Sequence, residues 1–428
     1  MKIRILFYTF FVSISTFVSC GGSSNPEPSI DLSSVVLVSP NYIRSRVGNV
    51  VNFQIKVPDN ANLSYEWKCD NQSFSTEQNP QLTIEKSGLL NIVATVKSGS
   101  ESKELRAIIF VPKVTAYKLL AYIPSWRDVM NDINPATAWD KLTHICLCFG
   151  TVSSDGSINA TDIKNNLSPL VAQAHKNGVS VLLSIGGGGE GSDFSVALLN
   201  ETARQAIAAN SIKLVEELKL DGVDVDYERW DYNPSNTNLR RANALETLYQ
   251  DLKEGLPENT LVTIATSFSY MRNRGYKETM TQYLDFVNMM IYDYTGGWAG
   301  SDVGSHSPWS FFLESIAEAR SFNIPDDKIV AGVPFYGKKF VSATNPLGCT
   351  DLAFWQIVTL YPGAEDKNEI AEEFLYYDGK PIIREKSKHV VNEGLGGVMF
   401  WELTQDSTDP SKSLLVVIDE ELGISKNE

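Results

Sequence analysis

From residue 115 onward, short apolar runs return eight times with helix-patterned stretches between several of them, and this repetition constrains the fold of the 428-residue chain most. The runs are YKLLAYIPSW (117–126), KLTHICLCFG (141–150), VSVLLSIGGG (179–188), LDGVDVDYE (220–228), TLVTIATSFS (260–269), FVNMMIYDY (286–294), KIVAGVPFYG (328–337) and GLGGVMFWEL (394–403). ARQAIAANSIKLVEELKL (203–220) and WSFFLESIAEARSFN (309–323) have helical periodicity. Apolar strands alternating with helices predict a parallel sheet covered by those helices, and eight repeats predict an α/β fold of the (β/α)8 barrel type over 115–428. A doubly wound sheet would place a glycine-rich phosphate loop after its first strand, and YIPSWRDV is not one.

Residues 31–114 follow a different pattern. SVVLVSP, VVNFQIKVP, LSYEWKCD, PQLTIEK, LLNIVATVKSG and ELRAIIFVP are short β-like runs with Gly, Asn and Pro between them. They predict a small antiparallel all-β sandwich with Trp67 in its core; the segment resembles immunoglobulin-like or PKD-like modules, which implies a spacer, with carbohydrate binding as the alternative. Residues 1–19 carry Lys2 and Arg4 before an apolar run too short for a typical membrane span, which marks a signal peptide. The run ends FVSC, resembling a bacterial lipoprotein box with Cys20 as the lipidated residue, and residues 20–30 then form a flexible Gly/Ser/Pro tether. Export with a lipid anchor on the bacterial membrane, at the outer membrane or cell surface, is therefore expected. The net charge of -15 excludes a nucleic-acid backbone as the main partner and suits a neutral substrate such as a sugar polymer. Cys69, Cys146, Cys148 and Cys349 have no metal-ligand spacing; buried free thiols are expected, with a disulfide at Cys349 left open.

The fourth run carries the chemistry. Strand side chains alternate faces, so Asp224, Asp226 and Glu228 point one way while Val223, Val225 and Tyr227 point the other. The apolar set is expected to pack against the surrounding helices and the acids to face the barrel interior, at the strand end where barrel catalysis takes place. Neighbouring buried carboxylates cannot all ionise, so at least one is held protonated and can serve as a general acid. Asp221 reads as structural. A divalent metal site is the rival reading, since carboxylate oxygens suit magnesium or calcium. The other strand ends, however, offer Tyr122, Ser184, Met290, Tyr292 and Trp401, with Asp293 as the chief extra acid, a set better suited to a sugar ring. No metal and no cofactor are expected.

These residues resemble glycoside hydrolase family 18, the chitinases and their relatives. DGVDVDYE (221–228) is similar to the family's acidic strand motif. AYIPSW (121–126), LSIGG (183–187), MIYDY (290–294), VPFYG (333–337) and GGVMFWEL (396–403) resemble its first, third, sixth, seventh and eighth strands, and together the motifs span 118 to 406. The resemblance implies a (β/α)8 barrel that cleaves an N-acetylglucosamine-containing oligo- or polysaccharide with retention. Glu228 would be the acid and later the base, while the substrate's own acetamido oxygen replaces an enzymatic nucleophile. Asp226 would orient that group and Asp224 would share its proton, with Tyr122 and Ser184 hydrogen-bonded to the inner aspartate. Tyr292 would bind the acetamido group, Asp293 would tune the carboxylates, and Trp401 would form the floor under the sugar with Met290 beside it.

Trp298 is implied as a stacking platform on the leaving-group side and Trp230 as a weaker one, with His306 structural. Two departures from the family pattern, no Trp after SIGG and a short interval at 338–394, imply a shallow groove without the full α+β insertion. Chitin or chitooligosaccharides are the leading substrate. An endo-β-N-acetylglucosaminidase cutting the N-glycan core is the alternative, and a sugar-binding lectin a third. A monomer is expected.

Overall fold

The computed structural model describes residues 31–59, 62–127, 138–189 and 191–427. Residues 1–30, with the expected signal peptide, Cys20 and the expected tether, lie outside the described residues. Eight parallel strands follow one another from residue 118: β1 (Lys118–Pro124), β2 (His144–Val152), β3 (Ser180–Gly186), β4 (Gly222–Asp226), β5 (Leu261–Thr266), β6 (Phe286–Met289), β7 (Ile329–Pro334) and β8 (Gly397–Trp401). Each pairs with its neighbour in sequence, and β1 also pairs with β8, Lys118 opposite Gly397, which closes the barrel.

The alternation expected for β4 is present. Val223, Val225 and Tyr227 join the apolar layer between strands and helices, with Phe194, Leu245 and Leu248. Asp224 and Asp226 point into the barrel beside Tyr122, Cys146, Cys148, Leu182 and Met399. Burying each outward Val contributes about 1.5–3 kcal/mol, so a one-residue slip that reversed the faces would be strongly opposed. The four described cysteines are free thiols, so Cys349 forms no disulfide.

The β7–β8 interval is short, as expected, and holds only part of a full α+β insertion. This small insertion is a four-stranded antiparallel sheet made from Tyr336–Lys339, Thr350–Ala353, Glu369–Ile370 and Leu375–Tyr377, with the helix Phe354–Leu360. Strands of two to four residues give too little periodicity to stand out in sequence.

Residues before 112 form a separate all-β region. A five-stranded sheet runs Tyr42–Arg44, Glu101–Val111, Gly88–Ser98, Ser64–Cys69, Gln72–Ser75, and two short strand pairs accompany it. Trp67 is buried at its centre, tilted against Phe53 at 5.0 Å, and its indole nitrogen donates to the Glu77 carbonyl at 2.9 Å.

This region docks on the N-terminal ends of the barrel strands. Arg44 donates to the Leu220 carbonyl at 3.0 Å and pairs with Asp221 at 3.5 Å. Asp221 also accepts from the Val181 amide at 2.8 Å and lies 2.7 Å from His175 Nε2. Phe110 stacks on the His175 ring at 4.1 Å. The first acid of the 221–228 run is thus part of the joint, as its structural reading implied, and the joint lies on the barrel face opposite the C-terminal strand ends. Among the described residues no helix is long and apolar enough to cross a membrane.

Candidate active site

The innermost acid, Asp224, is fully buried and held by four donors. Tyr122 Oη (3.0 Å) and Ser184 Oγ (2.9 Å) donate to one carboxylate oxygen. Thr263 Oγ1 (2.6 Å) and Asn288 Nδ2 (3.1 Å) donate to the other. The register supplies these partners: Ser184 lies opposite Asp224 across β3–β4, and Thr263 opposite it across β4–β5. Burial pushes the Asp224 pKa upward, and the four hydrogen bonds only partly counter it.

Two residues along the strand, Asp226 is also buried, and its Oδ1 has no hydrogen-bond partner. Burial first, then the charges of Glu228 and Asp224, raise its pKa well above the ordinary carboxylate value. Glu228 follows at the strand end, half-buried, and accepts a hydrogen bond from Tyr270 Oη at 3.0 Å. Burial raises its pKa too, Tyr270 lowers it and Asp293 raises it, leaving it above the usual range. The charge of Glu228 opposes ionisation of Asp226, so the two acids titrate as a linked pair.

The two acids open into a cavity of about 550 Å³ at the C-terminal end of the barrel. Tyr122, Met290, Tyr292, Asp293 and Trp401 line it together with Phe149 and Trp126. Phe149 stacks on Trp401 with ring centroids 5.8 Å apart, making a flat apolar floor. Gly188 also lines it; a Cβ there would stand 3.1 Å from Glu228 Oε1, so the backbone reaches the acid closely because no side chain intervenes.

Asp293 behaves differently from the strand acids. Burial works to raise its pKa, but His306, Lys338 and Tyr336 outweigh it and hold the carboxyl well below the usual range. Lys338 Nζ lies 3.0 Å from its Oδ1 and Tyr336 Oη donates at 2.7 Å. Both residues come from the first strand of the α+β insertion. Buried His306 braces the group, its Nε2 lying 3.1 Å from the Tyr336 carbonyl, which matches its structural reading.

Nine of the ten residues singled out from sequence converge here: Asp224, Tyr122 and Ser184 in the inner network, the other six along the cavity wall. Trp298 does not line the cavity; it is 46% exposed and folds back over Gly296. Trp230 is engaged in packing, edge-on to Tyr227 at 4.9 Å and donating to the Tyr227 carbonyl. Sequence reasoning missed Thr263, Asn288, Tyr270, Trp126, Phe149 and Lys338. Thr263 and Asn288 were legible as lone polar residues at inward positions of apolar strands. Among the described residues no group of three or more His, Cys, Asp or Glu could hold a metal ion.

Comparison with known proteins adds the following. The family described as "Glycosyl hydrolases family 18" matches residues 118–406. The chain is 27% identical to "Probable chitinase 10" of Drosophila melanogaster over 68% of its own length but only 15% of that much longer protein. It is 24% identical to "Endochitinase 1" of Metarhizium robertsii over 72% of this chain and 85% of that one. The crystal structure of a chitinase from Bacteroides thetaiotaomicron superposes with a TM-score of 0.64 at 25% identity, covering 73% of this chain and 98% of that chain.

Proposed function

The chain belongs to glycosyl hydrolase family 18, and on that premise we propose that it is a chitinase, hydrolysing the β-1,4 linkages of chitin or chitooligosaccharides with retention. The observation that carries the reading is the buried, unpartnered Oδ1 of Asp226 beside Glu228, above an aromatic floor. A buried acceptor without a donor is costly, and the N–H of a 2-acetamido group is the donor a bound sugar would bring.

The mechanism follows from the two environments. Glu228, kept protonated by burial, gives its proton to the glycosidic oxygen as the bond to the anomeric carbon breaks. The acetamido carbonyl oxygen attacks the same carbon and closes an oxazolinium ring. Asp226 accepts the acetamido N–H and its negative charge offsets the ring's positive charge, while Asp224, held by four donors, keeps it aligned. Tyr292 is placed to hold the acetamido group, and Trp401 with Met290 to support the ring. Glu228, now a carboxylate, takes a proton from the water that opens the ring. Asp293 is ionised and tied to Lys338, so it tunes the field at Glu228 rather than donating a proton. Trp298 lies outside the cavity and takes no part in this scheme.

We also propose that Cys20 is lipidated after export and that the all-β region is a spacer of immunoglobulin or PKD type, lifting the barrel off the membrane as a monomer. Its docking on the barrel face opposite the site supports the spacer role, because the all-β region contributes no residue to the cavity. Cys20→Ala would move the protein from the membrane to the soluble fraction; retention on the membrane would refute the anchor. A single enzyme-sized peak by light scattering would support the monomer, and a stable dimer would refute it. For the substrate, product release from chitooligosaccharides and from a high-mannose glycoprotein should be compared. Hydrolysis of the first is expected; release of glycan with no chitooligosaccharide cleavage would assign the protein to the N-glycan reaction instead.

A further inference from the structure

Glu228 stands in a wall between two cavities. In front is the one already described, and behind is a second of about 370 Å³, lined by Glu228, Arg229, Trp230, Tyr270 and Asn273 among others. The two oxygens of the acid meet different surroundings. Oε2 accepts from Tyr270 Oη at 3.0 Å, and Tyr270 lines only the rear cavity. Oε1 lies 3.1 Å from where a Cβ on Gly188 would stand, against 3.7 Å for Oε2, and Gly188 lines the front cavity. Tyr270 is itself fixed: it ends the short helix Phe268–Tyr270 after β5, its amide donates to Ser267 Oγ, and its ring packs at 6.4 Å from Trp230.

We propose that Tyr270 is a positioning residue that decides which oxygen of Glu228 carries the catalytic proton. By occupying Oε2 from behind, its hydroxyl leaves Oε1 as the protonated oxygen, turned toward the glycosidic bond. This rests on the reading of Glu228 as the acid and adds how that acid is aimed.

The proton balance runs through one oxygen. Oε1–H passes its proton to the glycosidic oxygen, the bonding pair of the broken C–O bond goes to that oxygen, and the acetamido oxygen forms its bond to the anomeric carbon. The carboxylate left behind keeps the Tyr270 hydrogen bond, which strengthens as charge develops on its acceptor. When water attacks the anomeric carbon, its proton returns to Oε1 and the ring opens. Tyr270 exchanges no proton. Burial and the nearby charge of Glu228 push the phenol pKa up, so it remains a neutral donor throughout.

The test is Tyr270→Phe, which keeps the ring and removes the donor. On chitooligosaccharides kcat should fall about 10- to 100-fold, the range for a lost hydrogen bond to a charged group, with KM within about two-fold. Tyr270 lowers the Glu228 pKa, so its removal raises that pKa, and the alkaline limb of kcat/KM, where the acid loses its proton, should move upward. A purely structural role would depress kcat without moving the limb, and that outcome would overturn the proposal, as would unchanged kcat.

Binding supplies a second arm that needs no turnover. Glu228→Gln and Glu228→Gln/Tyr270→Phe should bind a chitooligosaccharide equally, whereas a loss confined to the double variant would mean that Tyr270 acts through packing. If the wild type does not cleave chitooligosaccharides, the reading of Glu228 on this substrate fails; if it does and Tyr270→Phe matches it, only the role of Tyr270 fails.

Discussion

Replacing Asp226 with Asn should make the protein more stable and far less active, and the two effects should have different pH dependences. The native carboxyl is buried, one oxygen has no partner, and Asp224 and Glu228 flank it. A buried unsatisfied group costs about 1–3 kcal/mol, more when charged, and the isosteric amide removes the charge while offering an N–H to its acidic neighbours. A gain of about 1–2 kcal/mol corresponds to a rise in Tm of roughly 1–2 °C for a protein of this size. Because the folded-state pKa of Asp226 is raised, its contribution to stability is fully present below the unfolded carboxylate pKa of about 3.9 and is lost as pH rises through the folded value. The variant's advantage should therefore be near zero at the acid end, grow with pH, and level off above the native pKa. Differential scanning calorimetry from acid to mildly alkaline pH measures it. Meanwhile kcat should drop about 10²–10³-fold, as when one preorganised electrostatic partner of a developing charge is removed. A Tm difference independent of pH, or a less stable variant at neutral pH, would refute the picture of a destabilised buried acid held for catalysis.

Two other perturbations follow from the same geometry. Glu228→Gln should lower kcat by about 10²–10⁴-fold while chitooligosaccharide affinity, read by calorimetry, stays near wild type; retained turnover would remove Glu228 from the acid's role. Arg44→Ala strips Asp221 of its cationic partner across the joint, where both side chains are almost fully buried, at a cost of about 3–5 kcal/mol. The all-β region should then melt ahead of the barrel as a separate calorimetric step, with hydrolysis of short chitooligosaccharides unchanged below that step; a single transition at the wild-type temperature would show that the pair contributes little.

The barrel was legible because its strands are buried on both faces and its helices are amphipathic, so the apolar runs stand out at regular intervals. The acidic strand was legible because alternation put Val223, Val225 and Tyr227 on one face and the acids on the other. Thr263 and Asn288 obey the same parity and needed only the observation that an inward polar residue in an apolar strand requires a partner. Tyr270 and Lys338 carry no such mark: one ends a three-residue helix after β5, the other sits on a four-residue strand of the insertion, and each reaches the site only through tertiary placement. The family pattern placed Trp298 at the cleft, but the loop folds it over Gly296 and away from the cavity. The docking of the all-β region through Arg44 and Asp221 depends on pairing across about 180 residues of chain, which no local pattern encodes.

The central claim is that one protein acid acts with the substrate's own acetamido group, and the anomeric configuration of the first-formed product tests it most directly. Proton NMR recorded in the first minutes of chitooligosaccharide cleavage, before mutarotation, should show the new reducing end as the β-anomer, because two successive displacements at the anomeric carbon restore the starting configuration. Initial appearance of the α-anomer would mean that water attacks directly from the opposite face, and the roles given to Asp226 and the acetamido group would be wrong.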